Sequence, residues 1–258
     1  MSIITLTSDW GLKDHYSGII KGCILSQIPD ATITDISHNI PPFDIEQAAF
    51  IIKRTYKYFP KNTIHIIAIN TTASIKAPHL AILYDGHYFI GADNGIFSLI
   101  FKDAPEKIIE LEIFQKSDYF TFAERDIFVE AACHLAKGKP IEKLGKIKDK
   151  INKKLLFEPV VDNDSIKGMV IYIDAYENAI TNITETLFKK IGKGRQFKIL
   201  FGIETINKIH KSYSDVPKIE KTAVFNSSGL LEIAINMANA SSLLGLKYKD
   251  VVKIEFEN

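Results

Sequence analysis

The sequence predicts an N-terminal α/β domain built on a mainly parallel sheet, followed by a smaller C-terminal β-barrel domain. Strand-like and helical runs alternate up to about residue 145. Between 138 and 166 the texture changes to Gly138, Gly145 and a Lys-rich stretch, then Pro159 and the turn-like Asp162-Asn163-Asp164-Ser165. From Gly168 onward short strands separated by turns dominate. Alternating strands and helices pack as helices on parallel strands, whereas closely spaced short strands close as a barrel or sandwich. The boundary falls in the Gly- and Lys-rich stretch, giving domains 1–157 and 158–258.

The first predicted strand, 3–7, carries the apolar run Ile3-Ile4-Thr5-Leu6 and delivers Asp9 to the tight turn Ser8-Asp9-Trp10-Gly11. Open α/β sheets bind ligands at that end of their strands. Ile19, Ile20, Cys23, Ile24 and Ile28 recur at helical spacing, so a helix covers about 15–27 with Asp14 at its head. A carboxylate in such a turn can accept two hydrogen bonds from a vicinal diol, the way an acidic residue holds a ribose. Asp9 is read as that ligand; Asp14 is either a second acid on the ligand or, as favoured here, a helix-start acid acting as the cap.

Further strands are expected at 32–36, 63–69, 80–84 and 87–90, with helices at 44–58 and 125–137. Pro41-Pro42-Phe43 breaks the chain before the second helix and leaves Asp44 as its N-cap. Tyr84-Asp85-Gly86-His87 reads as a hairpin, since Asp-Gly supplies the positive φ of a tight antiparallel turn. Asn94-Gly95 reads as a turn, and the Lys-rich stretch as solvated surface. Second-domain strands are expected at 168–174, 179–184, 196–201, 222–225, 230–235 and 251–256.

A chain of 258 residues at 46% hydrophobic, with 16 Phe and 10 Tyr, has enough apolar mass for two cores. The net charge of +1 comes from interleaved Lys and Glu, so no basic stripe supports nucleic-acid binding. Cys23 and Cys133 lie inside apolar helical patterns and read as buried free thiols in a reducing compartment. No run approaches the roughly 20 apolar residues of a membrane span, and no charged leader precedes the first strand, so no membrane partner and a cytoplasmic location are expected. The Asn182-Ile183-Thr184 sequon is then unused.

Neither a Gly-x-Gly-x-x-Gly loop nor a Walker-type loop occurs, which favours a ligand without phosphates. Histidines 15, 38, 65, 79, 87, 134 and 210 show no zinc spacing, so neither metal nor cofactor is expected. No nucleophile elbow is present. Asp174-Ala175-Tyr176-Glu177-Asn178 with Thr181-Asn182 groups an acid, an aromatic ring and amides, types suited to an amino group, a ring face and an adenine edge, or equally to turn chemistry. Asn226-Ser227-Ser228-Gly229-Leu230-Leu231-Glu232 is either a hairpin turn or a set of donors for a carboxylate.

Taken together, Thr7-Ser8-Asp9-Trp10-Gly11 with Asp14, Asp35-Ile36-Ser37-His38-Asn39-Ile40-Pro41-Pro42, Phe59-Pro60, Ala92-Asp93-Asn94-Gly95 and Arg125-Asp126 arrive in one order. In that order the chain resembles the S-adenosylmethionine (SAM) hydroxide adenosyltransferases, the SAM hydrolases, and their halogenase relatives, nearly end to end. The resemblance implies the two-domain fold above, a homotrimer with sites between subunits, and SAM as substrate rather than cofactor. It also implies in-line displacement of methionine at ribose C5′ by water or a halide. By position, Asp9 resembles the ribose-diol ligand and Phe43 the aromatic beside the sugar, with Phe122 also on the ligand. Tyr176 and Tyr213 resemble the adenine sandwich, Asn178 its edge partner, Asp174 the acid facing the methionine ammonium, and Ser227 with Ser228 the carboxylate region. Ser228 stands where halogenase relatives carry arginine.

The hydrolases' water-activating Asp, Arg and His are replaced here by Asn70, Ala77 and Ala123, in Asn70-Thr71-Thr72-Ala73-Ser74-Ile75-Lys76-Ala77-Pro78 and Phe122-Ala123-Glu124-Arg125-Asp126. An amide and two methyl groups cannot take a proton from water. Three readings stay open: hydrolysis with Glu124 as base and Lys76 or Asn70 orienting the water; halogenation, which Glu124 opposes by repelling an anion; and binding of SAM or adenosine without hydrolysis, including transfer to another acceptor. Glu124 reads equally as a surface helix-start acid, and His79 and Lys76 as loop residues on the rim.

Overall fold

The computed structural model describes residues 2–115, 118–155 and 157–257. The chain divides into two compact units, Met1–Leu155 and Leu156–Asn258. In the first, strands β1 (Ile3–Ser8), β2 (Thr32–Ser37), β3 (Ile64–Ala68), β4 (His79–Tyr84), β5 (His87–Ala92), β6 (Lys107–Leu111) and β7 (Gly145–Ile147) form one sheet in the order β2-β1-β3-β5-β4-β6-β7. β2, β1, β3 and β5 run parallel, while β4, β6 and β7 pair antiparallel. The sheet is therefore mixed, parallel from β2 to β5 and antiparallel beyond it. The cause is local: Asp85 and Gly86, at φ 49° and 68°, turn the chain within two residues, and so short a link can only return a strand antiparallel.

Helices α1 (Tyr16–Gln27) and α4 (Val129–Ala136) cover one face, where Ile20, Ile24, Ala131 and Cys133 pack on Ile4, Leu6 and Ile66. Helices α2 (Ile45–Thr55) and α3 (Ile96–Ile100) cover the other, where Ile52, Phe97 and Ile100 pack on Ile67, Ile82 and Phe89. Asp44 caps α2 by accepting the Glu46 and Gln47 N–H groups, each at 3.0 Å. Asp14 does not cap α1: the cap position belongs to His15, whose backbone is already helical, and no side chain of the described residues caps that helix. The expected helix at 125–137 begins instead as a π-helical turn, Glu124–Phe128, running into α4.

β6, β7 and α3 were not visible in the pattern of the sequence. Asn94-Gly95 is more than a turn, because it starts α3 with Gly95 at φ 100°. The Lys-rich stretch is solvated, with Lys146, Lys150, Lys153 and Lys154 exposed, but its backbone is tied to the first unit. After β7, the Lys148 N–H donates to Ile108 O at 2.9 Å, the Asn152 N–H to Asp93 Oδ1 at 2.9 Å and the Lys154 N–H to Ser98 Oγ at 2.9 Å. Gly145 allows the docking of β7, since a Cβ there would lie 1.9 Å from Glu110 O.

The second unit holds β8 (Val160–Val161), β9 (Ser165–Ile173), β10 (Ala179–Thr184), β11 (Phe197–Phe201), β12 (Glu204–Ile206), β13 (Ile209–His210), β14 (Lys221–Phe225), β15 (Leu230–Ile235) and β16 (Val251–Phe256), with helices α5 (Glu185–Gly192) and α6 (Ala240–Leu244). The strands follow the order β12-β11-β16-β9-β10-β15-β14-β13, and β8 pairs with β9. The sheet is nearly barrel-shaped: Lys221 on β14 pairs with Glu204 on β12, close to where the path would close. Its interior is Ile166, Val170, Ile183, Ile199, Phe201, Leu231, Ile233, Val252 and Ile254. The Asn182 carboxamide is taken up by the Met169 N–H and Phe157 O at 2.9 and 2.8 Å.

Both cysteines are free; Cys133 is buried, its thiol pushed up to about 11, while Cys23 is only partly buried. No helix among the described residues is long and apolar enough to cross a membrane. His65 on β3 is buried between Thr5 Oγ1, 2.7 Å from its Nδ1, and His87, whose Nδ1 lies 3.4 Å from its Nε2. Burial, with a smaller push from His87, holds His65 down at about 3. A histidine depressed in the folded state contributes stability above its ordinary value, and that stability is lost as pH falls through the folded value. Denaturant-unfolding free energy should therefore decline between about pH 6.5 and about 3, and decline less steeply in His65→Gln. Identical slopes for the two proteins would contradict this.

Candidate functional site

In the first unit the constellation forms where β1 and β3 end. Asp9 follows β1, and its Oδ2 accepts the Phe43 N–H at 2.8 Å. The turn is held open by Gly11, at φ 70°, whose N–H donates to His38 O at 2.7 Å. His38 is fixed in turn by Ser8 Oγ, 2.6 Å from its Nδ1; its Nε2 lies 3.1 Å from Asp35 Oδ1 but off the hydrogen-bonding direction. Phe43 sits at φ 65° with 71% of its surface exposed, so its ring is offered outward. Phe122 is instead built into an aromatic cluster, edge-on to Trp10 at 5.7 Å and to Tyr16 at 5.4 Å. Asp14 is exposed.

Glu124 opens the π-helical turn and is only 5% exposed, which removes its reading as a surface acid. Thr71 Oγ1 donates to Glu124 Oε1 at 2.5 Å. Burial pushes the Glu124 carboxyl above its ordinary range, against the lowering bonds from Thr71 and its own N–H, and the nearby Asp9 charge adds to the rise. Thr71, not Asn70 or Lys76, thus supplies a hydrogen bond to this carboxyl. Asn70 is exposed at φ 48°, its carbonyl accepting the Asn94 carboxamide at 3.0 Å. Lys76 is exposed, with its carbonyl accepting from Asn152 Nδ2 at 2.6 Å. His79 is not a rim residue: it is 7% exposed at the start of β4, with Nε2 2.7 Å from Thr71 O, and burial depresses its imidazole. Thr71 carries no signal in the sequence, and His79 reads there only as a rim residue, since neither type is diagnostic in a loop.

The second unit carries its own concavity of about 670 Å³, lined by Asp174, Tyr176, Asn178, Tyr213, Asn236 and Asn239 among others. Asp174 shapes the loop: Oδ1 accepts the Tyr176 and Asn178 N–H groups at 2.9 and 2.8 Å, and Oδ2 accepts Asn178 Nδ2 at 3.1 Å. Four acceptor positions on a carboxylate leave room for a further donor. Tyr176 is 76% exposed, whereas Tyr213 is anchored through its hydroxyl, which donates to Glu232 Oε1 at 2.6 Å. Burial, then Glu232, push the Tyr213 phenol upward. Glu232 is buried on β15 and also accepts from Asn226 Nδ2 at 2.9 Å. Ser227 and Ser228 lie on the exposed turn that Asn226 organises through the Ser228 N–H at 2.9 Å, outside the lining of this concavity. Glu232 lay in a segment singled out by sequence, but its role as anchor for Tyr213 needed the fold. Among the described residues, no three His, Cys, Asp or Glu side chains gather to hold a metal ion.

Residues 4–145 match the SAM hydroxide adenosyltransferase N-terminal domain and residues 168–253 match the C-terminal domain of the same family. The chain belongs to the SAM hydroxide adenosyltransferase family. It is 34% identical to an (R)-S-adenosyl-L-methionine hydrolase of Methanocaldococcus jannaschii, over 98% of this chain and 96% of that one. It is 28% identical to a fluorinase of Nocardia brasiliensis, over 95% and 94%. Among solved structures, an uncharacterized conserved protein from Thermotoga maritima superposes with a TM-score of 0.89 at 31% identity, covering 98% of this chain and 99% of that one.

Within this family member, Glu124 carries a measurable signature. A carboxyl whose folded value is raised adds stability below its ordinary range and loses it as pH rises through the folded value. Glu124→Gln, neutral throughout, should therefore gain stability over the wild type as pH climbs above the ordinary carboxyl range, measured by denaturant unfolding. A difference constant with pH would contradict the raised carboxyl.

Proposed function

We propose that the protein cleaves SAM at ribose C5′ with water, giving adenosine and L-methionine. The near full-length likeness to SAM hydrolases supports this, and one observation carries it for this chain: a buried carboxyl, Glu124, hydrogen-bonded to Thr71 and within the field of Asp9. In the reaction a water oxygen bonds to C5′ as the C5′–S bond breaks, its electron pair leaving on sulfur as the methionine thioether. The water's proton passes to Glu124, ionised for the purpose, and then to solvent. Burial raises the Glu124 carboxyl, and a raised carboxyl is the stronger base once ionised. The same negative charge disfavours a halide nucleophile, which separates this chain from halogenating relatives.

Asp9 would hold the ribose diol with the acceptor capacity left beside its Phe43 bond, and the exposed Phe43 ring would pack on the sugar. Phe122 would back the sugar from the aromatic cluster, and Asn70 and Lys76 would border the water. Tyr176 and Tyr213 would sandwich adenine, Asn178 would read its edge, Asp174 would face the ammonium, and Ser227 with Ser228 would meet the carboxylate. Positioning and desolvation then supply most of the acceleration, since a sulfonium is a good leaving group. We take the working form to be a cytoplasmic homotrimer, with neighbouring copies completing each other's sites.

Purified protein should convert SAM to adenosine and methionine above a protein-free blank, followed by mass spectrometry, with or without chloride. Chloroadenosine would overturn the choice of nucleophile, and intact SAM would overturn turnover in favour of a binding protein. Asp9→Ala should weaken binding in calorimetry by about 1.5–3 kcal/mol, the loss of a charge-assisted bond. Glu124→Gln should keep affinity while losing roughly 100-fold or more in turnover; equal rates would remove Glu124 from the chemistry.

A further inference from the structure

The segment leaving β3 is pinned at three successive carbonyls by side chains. Asn94 Nδ2 donates to Ile69 O and to Asn70 O, each at 3.0 Å, and His79 Nε2 lies 2.7 Å from Thr71 O. Surface loops ordinarily leave such carbonyls to water. A carbonyl oxygen only accepts, so His79 must carry its proton on Nε2, and its burial keeps the ring neutral. The same ring stands edge-on to Phe128 at 4.8 Å, and Phe128 closes the π-helical turn that Glu124 opens. A loop therefore runs from Glu124 to the Thr71 hydroxyl, from the Thr71 carbonyl to His79, and from His79 back to the turn bearing Glu124.

We propose that Thr71 and His79 are positioning residues for the Glu124 carboxyl, fixing its orientation as it takes the proton of the attacking water. This rests on hydrolysis with Glu124 as base. The Thr71 hydroxyl donates a hydrogen bond to Oε1, which restricts rotation of the carboxyl and stabilises its ionised form against burial. His79 acts one step further out, by fixing the backbone that presents the hydroxyl. The groups facing Glu124 are Asp9 from the end of β1 and His79 through Thr71 from β4. On its own turn, Arg125 and Asp126 pair with each other at 2.7 Å.

The test is the pH profile of kcat and KM for SAM hydrolysis in the full-length protein. Thr71→Val should lower kcat roughly 10- to 100-fold with KM within about twofold, and should move the acid limb of kcat to higher pH, because a bond favouring the ionised carboxyl is gone. Thr71→Ser, which keeps the hydroxyl, should restore both. His79→Leu should move kcat and the limb in the same direction, and His79→Gln, which keeps an N–H donor, should recover part of the loss. A clamp with only a structural role would lower thermal stability and leave the limb in place, which overturns the proposal. Wild-type kcat and limb in Thr71→Val, with Glu124→Gln inactive, overturn the positioning pair and leave the base standing. No cleavage by the wild type overturns hydrolysis and this proposal together.

Discussion

Burial of a carboxyl against the field of a second carboxylate is the constraint around which the first unit is arranged. Glu124 is almost sealed from solvent and feels Asp9, so both desolvation and like charge oppose its ionisation. The Thr71 hydroxyl and Glu124's own N–H offset part of that penalty. Keeping so unfavourable a group requires surroundings that cannot relax away from it. The π-helical turn, the pinned end of β3 and the buried imidazole of His79 provide them. Strained backbone accompanies the arrangement, with Phe43 and Asn70 both at positive φ.

The second unit follows a different logic. Its concavity is shaped by a carboxylate, Asp174, that organises its own loop, and by a buried carboxylate, Glu232, that holds Tyr213 and Asn226. Tyr176 is left exposed while Tyr213 is anchored, so one aromatic face is fixed and the other can adjust. That division suits a flat ring, since the anchored face limits the entropy lost when a ligand orders the other.

Much of this was legible in the sequence because it rests on short-range rules. The apolar run into Asp9, the Asp44 cap and the Asp85-Gly86 hairpin are set by neighbours a few residues apart, and the structure places each as expected. What escaped depends on distant partners. β6 and β7 pair across more than 30 residues, and Gly145 is needed only because Glu110 lies against it. Asp14 fails as a cap because the helix begins one residue later than its apolar spacing suggests. Glu124 could not be told from a surface acid, and Thr71 and His79 could not be singled out, because their meaning comes from contact across 53 and 8 residues of chain. The resemblance implies positions for the usual water-activating residues, and the packing around Glu124 was not legible from it.

In the proposed reaction, water with Glu124 as its base attacks C5′ of SAM. Single-turnover cleavage in ¹⁸O-enriched water, with the protein in excess over SAM, tests it most directly, because the reacting atom itself is labelled. Adenosine carrying one ¹⁸O on its 5′-carbon, with unlabelled methionine, is the expected outcome. Adenosine lacking the label, or SAM recovered intact, would contradict it.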